Sequence, residues 1–562
     1  MTGILLGSPL ATAQIVGGDW PLEQSLFGTA GGDRFGTVVD CDHDFDLDGV
    51  LDILVSSPMA TINGASDTGS VAIFSGADGH LILRLDGQTA GALFGIAADT
   101  LGDVNGDAVP EILVGAPLEA PGGLKDAGSA FLFSGADGSL LWRVDGAKTI
   151  DKMGSAVARV GDIDGDGVDD AALGAHSAYV GSTYHAGLAV AVSGATGAVL
   201  YTFPGFHLHS HFGYSVAGPG DLNGDGVPDI AVGGYGVETT SKNNTGAVIA
   251  YSGADGSQIW RYDGQRAEAH RGEALAPAGD FDGDGVPDLL DGSQRSVGKP
   301  YARYAGAVLV HSGVDGSPLY EIRGSDPFQG LGAAVAPAGD IDGDGLDDFL
   351  VGSPGSDPKG QLDAGEVLVL AGGSGALLHR FVGTGYLDNL GRGVAGGRDL
   401  DGDGRLDLLL GIPGRAISGN LDVGRVDRIG WNPILDTTAA AVSGSVGGTV
   451  DFLLDFPAAD GGQAYGLLFS SSGTGPTPVG GIEVPLTRDG MFFHSTLGHY
   501  PPYLSGGSGV LDAAGDAVAT LAAGPGDLAK FVGLDIWCCA VSDAPGSGLA
   551  RSSVARRFIV TP

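Results

Sequence analysis

One acidic, glycine-rich loop recurs seven times along the chain, and its spacing restricts the fold more than any other feature. The first acid of the loop falls at Asp44, Asp103, Asp162, Asp221, Asp280, Asp340 and Asp399, at intervals of 59 residues with a single 60. A fixed period of this length means one supersecondary unit per copy, each burying its apolar face against the next. A glycine stands eight residues before each loop: Gly36, Gly95, Gly154, Gly213, Gly272, Gly332 and Gly391. Behind each loop runs an apolar stretch, in most copies closing on small residues or proline, as in DILVSSP, EILVGAP and DFLVGSP. In six copies a hairpin follows, as in SAFLFSGADGSLLWRVDG. A tight glycine turn between alternating apolar runs is the hairpin signature. Each unit therefore has four strands, and the chain is expected to be all-β, with a seven-bladed β-propeller.

The seventh copy breaks off after VGRVDRIGW (423–431), one strand short. In WPLEQSLFG (20–28), Gly28 lies eight residues before Gly36, as Gly87 does before Gly95. This N-terminal segment is expected to supply the missing strand and close the ring, which removes free sheet edges. The propeller then covers 17–431 and residues 432–440 read as a linker. Residues 441–562 carry strand-like runs such as TVDFLLDF and LDIWCCAVSD and read as a small β-sandwich.

The loops read as cation sites. A helix-flanked EF-hand needs a bidentate Glu at loop position 12. Position 12 here holds Val55, Val114, Leu173, Val232, Asp291, Val351 and Leu410, and the flanks are strand-like. The alternative is a nine-residue inter-strand loop with oxygen side chains at positions 1, 3, 5 and 9. The sets are Asp44, Asp46, Asp48 and Asp52; Asp103, Asn105, Asp107 and Glu111; Asp162, Asp164, Asp166 and Asp170; Asp221, Asn223, Asp225 and Asp229; Asp280, Asp282, Asp284 and Asp288; Asp340, Asp342, Asp344 and Asp348; Asp399, Asp401, Asp403 and Asp407. Hard oxygen donors on a flexible loop suit Ca²⁺ better than Mg²⁺. Three or four carboxylates in one loop repel one another without a cation. Up to seven Ca²⁺ are expected, one per blade, which would bring the net charge of −40 to about −26. The second loop departs most, with Ala108 in place of glycine and Glu111 at position 9.

The motif Phe-Gly, then D-x-D/N-x-D-G-x-x-D, then Gly-Ala-Pro resembles the FG-GAP repeat of the integrin α-subunit propeller and its bacterial relatives. Residues 94–117, FGIAADTLGDVNGDAVPEILVGAP, carry it almost whole. The resemblance spans about 17–431 and implies a seven-bladed propeller with Ca²⁺ in the inter-strand loops. Integrin propellers keep the calcium motif in only some blades, whereas here all copies have it. No von Willebrand-type domain interrupts the repeats, so heterodimer signalling is not expected. The SGADG hairpin also resembles the repeat of quinoprotein propellers, where vicinal cysteines serve a cofactor. Here Cys538-Cys539 lies beyond the repeats, and the loops match FG-GAP better. That pair fits a vicinal disulfide or two strand-borne thiols equally.

Composition narrows the partners. The net charge of −40 argues against nucleic acid, which needs clustered Lys and Arg. No apolar run reaches the roughly 18 residues of a membrane span. The opening MTGILLGSPLATAQ reads as an export signal over 1–16, with Ala11-Thr12-Ala13 as the cleavage site, although it lacks a basic stretch. A secreted or cell-surface location is therefore expected.

Strand direction divides the loops between two faces. Strands in a blade alternate in direction, so cation loops and SGADG turns share one face. The loops after the GAP segment and between blades share the other, and these vary from copy to copy. Aromatic and basic residues gather in the loops of blades three to five: Tyr179, Tyr184, His185, Tyr235, Arg295, Tyr301, Arg303 and Tyr304. Tyr and Arg are favoured interface anchors, so these residues form the expected patch for a protein or glycan ligand. One inter-blade loop, GFHLHSHFG, carries His207, His209 and His211, a candidate transition-metal cluster. The function expected is non-catalytic adhesion or ligand binding. The alternative is an extracellular polysaccharide lyase or hydrolase on the same scaffold. No nucleophile elbow, HExxH or phosphate loop is present, and a carboxylate pair or a Lys/Arg/His cluster at the axial mouth would favour the enzyme.

Overall fold

The computed structural model describes residues 20–430, apart from 240–241, 299–301, 343, 403–404 and 418, and beyond 430 mainly the strands between Leu435 and Thr561. The expected export signal over 1–16, Tyr301 and Asp403 lie outside the described residues. The propeller is built from four-stranded antiparallel sheets, one for each of the seven repeats. Blade one, for example, orders Val39–Asp40, Ile53–Ser57, Ser70–Phe74 and Leu81–Asp86 from the axis outwards. In blade seven the outermost strand is Leu22–Phe27, which pairs antiparallel with Arg425–Gly430. The innermost strands of successive blades touch in sequence, and that of blade seven, Val394–Arg398, returns to Val39–Asp40.

Burial follows the layers. The second strands, such as Glu111–Ala116 and Asp170–Ala175, are buried along their whole length. This explains their unbroken apolar runs, since both faces are covered by neighbouring blades. Outermost strands alternate, as in Leu140–Asp145, where Trp142 is buried between exposed neighbours. Trp142 packs between blades two and three, and its indole N–H donates to the Gly194 carbonyl in the turn of blade three (2.7 Å). Trp260 repeats the bond to Gly313 of blade five (2.7 Å).

Glycine pairs set the approach of blade to blade. The glycine before each loop has φ between +77° and +89°, a region that favours glycine. Its carbonyl faces the glycine that ends the apolar run of the preceding blade. A Cβ at Gly115, Gly174, Gly233, Gly292, Gly352 or Gly411 would lie 2.0–2.5 Å from the carbonyl oxygen of Gly154, Gly213, Gly272, Gly332, Gly391 or Gly36 respectively. The last of these pairs joins blade seven to blade one. At the remaining junction Ser56 replaces the glycine, and its Cβ sits 3.4 Å from where a Cβ at Gly95 would stand.

Beyond the propeller, two sheets face each other. One contains Leu435–Thr437, Gly448–Asp455, Asp516–Ala523 and Leu504–Ser505. The other includes Ala464–Ser470, Asp535–Ala544 and Arg556–Thr561. Leu435–Thr437 falls inside the segment read as a linker. Val450, Phe452 and Leu454 of the first sheet share a core with Leu467, Phe469 and Cys538 of the second. Cys538 and Cys539 are both fully buried.

Gly352→Ala is expected to destabilise the propeller by about 1–3 kcal/mol, the usual cost of overpacking, because the methyl group would strike the Gly391 carbonyl. A urea midpoint equal to that of the parent protein would contradict this packing.

Candidate cation loops and ligand face

The ninth residue of each loop is the most constrained carboxylate in its repeat. It starts the second strand, or in blade one immediately precedes it, and is buried: Asp52, Glu111, Asp170, Asp229, Asp288, Asp348 and Asp407 are all 2% exposed or less. In blade three, Ile163 N–H donates to Asp170 Oδ2 (2.9 Å) and Gly194 N–H donates to Oδ1 (2.8 Å). One carboxylate thus ties the cation loop to the SGADG turn. Asp52, Asp229, Asp288 and Asp348 make the same pair of bonds. Burial pushes Asp52, Asp170, Asp229 and Asp288 up to about 6 and Glu111 up to about 7. Asp348 is driven up by burial and then by the neighbouring Asp342.

The first, third and fifth residues fold the loop around themselves. In blade four, Asp221 accepts amide hydrogens from Gly224 (2.7 Å), Asp225 (3.2 Å) and Gly226 (2.8 Å). Asp225 accepts from Val227 (2.9 Å). These bonds gather the acids: the carboxylates of Asp44, Asp46 and Asp48 lie within 4.8 Å of one another, as do those of Asp162, Asp164 and Asp170. Asp44 Oδ1 is buried and accepts no hydrogen bond. In blade two, Asp103, Asp107 and Glu111 converge, and the Asn105 amide donates to Asp107 (2.9 Å) and Glu111 (2.6 Å).

Blade seven is different. The closing strand brings Glu23 beside Asp401 and Asp407, all within 4.8 Å. Burial, then the charges of Asp407 and Asp401, push Glu23 up to about 7. Arg428 enters the same loop, 3.2 Å from Glu23 and 3.5 Å from Asp401, and donates to the Gly76 and Leu400 carbonyls (2.6 and 2.7 Å). Glu23 and Arg428 carry no local motif, so the sequence reading missed them. Asp291, the one carboxylate at position 12, is buried in blade five. It accepts the Gly272 amide (2.8 Å) and lies 3.3 Å from His311 and 3.8 Å from Arg271, so it braces the blade.

Carboxylates also meet around the axis. Asp42 of blade one pairs with Arg159 of blade three and Arg398 of blade seven, each at 3.0 Å. Asp99 accepts the Arg159 and Thr100 amides (both 2.8 Å). Thr100 donates to Asp40 (2.7 Å) and lies 2.8 Å from His43. Each of these acids is committed to a tie within or between blades. None of these residues lines the cavity of about 260 Å³ found elsewhere. That cavity belongs to the opposite face, with Arg34, Thr37, Met59, Asn389 and Arg392 in its wall.

The variable face gathers aromatic side chains. Tyr179 meets Tyr184 edge-on (5.1 Å), and Tyr184 stacks on His185 (3.6 Å between ring centroids). His211 stacks on Tyr235 (4.8 Å, 6° between planes), which meets Tyr214 (4.7 Å). Arg295 lies over both tyrosines, its guanidinium carbon 4.8 Å from Tyr235 and 5.6 Å from Tyr214, and is held by buried Glu273 (3.0 Å). Arg295 therefore fixes the rings and its charge is already paired. Arg303 stacks on Tyr304 (4.8 Å), which packs on Phe328 (5.8 Å). Inter-blade loops expose Leu208, Phe328 (60%) and Tyr386 (63%), which the sequence reading did not select. Tyr214 and His176 were also missed, although His176 stands where four other copies place proline.

With no divalent cation present, Asp229→Ala should cost at least about 2 kcal/mol, because the Leu222 and Gly253 amides lose their acceptor in a buried site. Asp225→Ala, in an exposed part of the loop, should cost under about 1 kcal/mol. Equal urea midpoints for the two variants would contradict the assigned role of the ninth residue. A pH effect follows from the same groups. Their folded values lie above the ordinary carboxylate value of about 4, so the folded chain holds more protons than the unfolded chain between about pH 4 and 6. That contribution to stability is full below about pH 4 and is lost as pH rises through about 6. Chelator-treated protein should therefore melt at a higher temperature at pH 5 than at pH 7, and the reverse order would overturn the assignment.

Comparison with known proteins agrees with this geometry. The FG-GAP repeat matches residues 94–133, 212–251 and 331–370, which fall in blades two, four and six. Integrin alpha-V of Gallus gallus is 31% identical over 227 residues, covering 38% of this chain and 21% of that protein. Integrin alpha-5 of Xenopus laevis is 29% identical over 226 residues, 36% of this chain and 20% of that protein. Human integrin alpha-IIb is 32% identical over 186 residues, 30% of this chain and 17% of that protein. The chain thus spans about a fifth of the length of these curated relatives. With its closed ring and recurrent acidic loops, the repeat region is an integrin α-like FG-GAP β-propeller.

Proposed function

We propose that this chain is a secreted or surface-exposed, non-catalytic, Ca²⁺-stabilised propeller that binds a protein or glycan ligand through its variable face. The observation that carries this reading is the division between the faces. One face repeats the same acidic loop in every copy, tied down by its ninth residue. The other presents different side chains in each blade, among them exposed Tyr184, Phe328 and Tyr386. Function on a rigid scaffold concentrates in such variable loops.

The acidic loops fit Ca²⁺. Their donors are all oxygens, they converge, and Asp44 Oδ1 is buried with no hydrogen bond to satisfy it. Residues at positions 1, 3, 5 and 9 and the carbonyl at position 7 would hold the ion. Bound Ca²⁺ would neutralise the clustered carboxylates and lock the loop to its neighbouring turn. In blade seven Arg428 already supplies positive charge, so that loop is the weakest of the seven candidates. Adhesive binding accords with the integrin α-subunits matched by this region. No helix among the described residues is long and apolar enough to cross a membrane.

The test begins with a glycan and extracellular-protein array probed with intact chain in Ca²⁺. For the ligand found, Tyr184→Ala and Phe328→Ala should weaken binding at least about tenfold, as anchor residues do. Leu140→Ala, on an outermost strand, should leave it unchanged. Unchanged affinity in all three variants would remove the variable face from the account.

A further inference from the structure

The repeat architecture brings three loop positions together in every blade, one after the GAP segment and two in the following inter-blade loop. Most are non-glycine residues with positive φ: Asp126, Ile150 and Lys152 in blade two, and Asn244, Glu268 and His270 in blade four. Backbone bonds hold the two segments side by side. In blade three, His209 N–H donates to the Tyr184 carbonyl and His211 N–H donates to the His185 carbonyl, both 3.2 Å. Blade four shows that the side chains at these positions meet. Asn244 donates to Glu268 (3.2 and 3.3 Å), and His270 lies 3.1 Å from the same carboxylate. That trio is hydrogen-bonded within itself through Glu268, with His270 Nδ1 left buried and unpartnered.

Blade three places histidine at all three positions: His185 (φ 49°), His209 (φ 58°) and His211 (φ 51°). One ring nitrogen from each lies within 4.8 Å of the other two. Neither a carboxylate nor an amide side chain occupies this trio. His185 Nε2 and His211 Nδ1 are buried and have no hydrogen-bond partner. Buried polar atoms without partners are rare and call for an explanation. The flanking rings are held in place, His185 by stacking on Tyr184 and His211 by stacking on Tyr235. His207, grouped with His209 and His211 from sequence spacing, is exposed and stands outside this trio. His185, from the loop on the other side of the blade's last two strands, takes its place.

We propose that His185, His209 and His211 form a three-nitrogen site for a transition-metal dication, with Zn²⁺ the preferred occupant. Imidazole suits Zn²⁺ and Cu²⁺ and excludes Ca²⁺, which takes oxygen. Three histidines leave at least one coordination position for water or an outside donor. The ion would clamp the variable loop of blade three to the loop that leads into blade four. Zn–N bonds of about 2.1 Å hold ligand nitrogens well inside the 4.8 Å within which these three lie, and the exposed His209 is free to adjust to that geometry.

The experiment is a Zn²⁺ titration against a chromophoric chelator, using the full chain in saturating Ca²⁺. The site predicts one Zn²⁺ per chain whose affinity falls by about 100-fold or more in His185→Ala, His209→Ala and His211→Ala, exceeding the usual cost of losing an outer-shell partner. His207→Ala should bind as the parent does. Melting temperatures in Ca²⁺ without Zn²⁺ establish that each variant is folded. Cu²⁺ electron paramagnetic resonance should show nitrogen couplings that disappear in the His211→Ala variant. The proposal is overturned if the three variants bind Zn²⁺ as the parent does, or if His207→Ala weakens binding as much as they do.

Discussion

A carboxylate buried at the start of the second strand is the constraint on which each blade depends. It cannot remain in an apolar interior unless its oxygens are satisfied. Asp170 meets this demand with the Ile163 and Gly194 amides, and so fixes the acidic loop and the hairpin turn in one geometry. Four further blades repeat the arrangement with the same atoms. The convergence of the exposed acids follows, because the loop they occupy has been closed from beneath. Their mutual repulsion is the cost of this design, and a divalent cation offsets it.

Between blades the controlling contact is apolar and steric. Glycine faces glycine at six of the junctions, at separations that no Cβ could share. The Phe-Gly and Gly-Ala-Pro elements therefore meet across a blade boundary, and their distance in sequence has a spatial reason. Around this rigid frame, the loops on the face opposite the acids are free to differ. Blade three uses that freedom for histidine, blade four for a hydrogen-bonded Asn-Glu-His trio, and blade five for packed Arg303, Tyr304 and Phe328.

Fold class was legible because it rests on periodicity. The spacing of Asp44 to Asp399 announced repeated units, and the glycine turns announced hairpins. Features that depend on a single local segment were also readable, such as the lack of a ligand at position 12. What remained hidden needed contact between distant segments. Glu23 stands beside Asp401 only because the ring closes. His185 joins His209 and His211 through an inter-strand loop pairing, while the simple i, i+2, i+4 pattern pointed to His207. Arg295 read as an outward-reaching cation, but a buried Glu273 from the start of the same blade's inner strand holds it. The sequence could not reveal that partner, since Glu273 lies in no recognisable motif.

The central claim is that divalent cations complete the acidic loops and stabilise the ring. Thermal melting of the intact chain, with and without a calcium chelator, tests it most directly when paired with elemental analysis of the dialysed protein. A ligand bound only by the native state raises stability in proportion to the logarithm of its concentration over Kd. The account predicts several Ca²⁺ ions per chain, a strongly lowered melting temperature in chelator, and recovery on adding Ca²⁺. An unchanged melting curve together with calcium-free protein would contradict it.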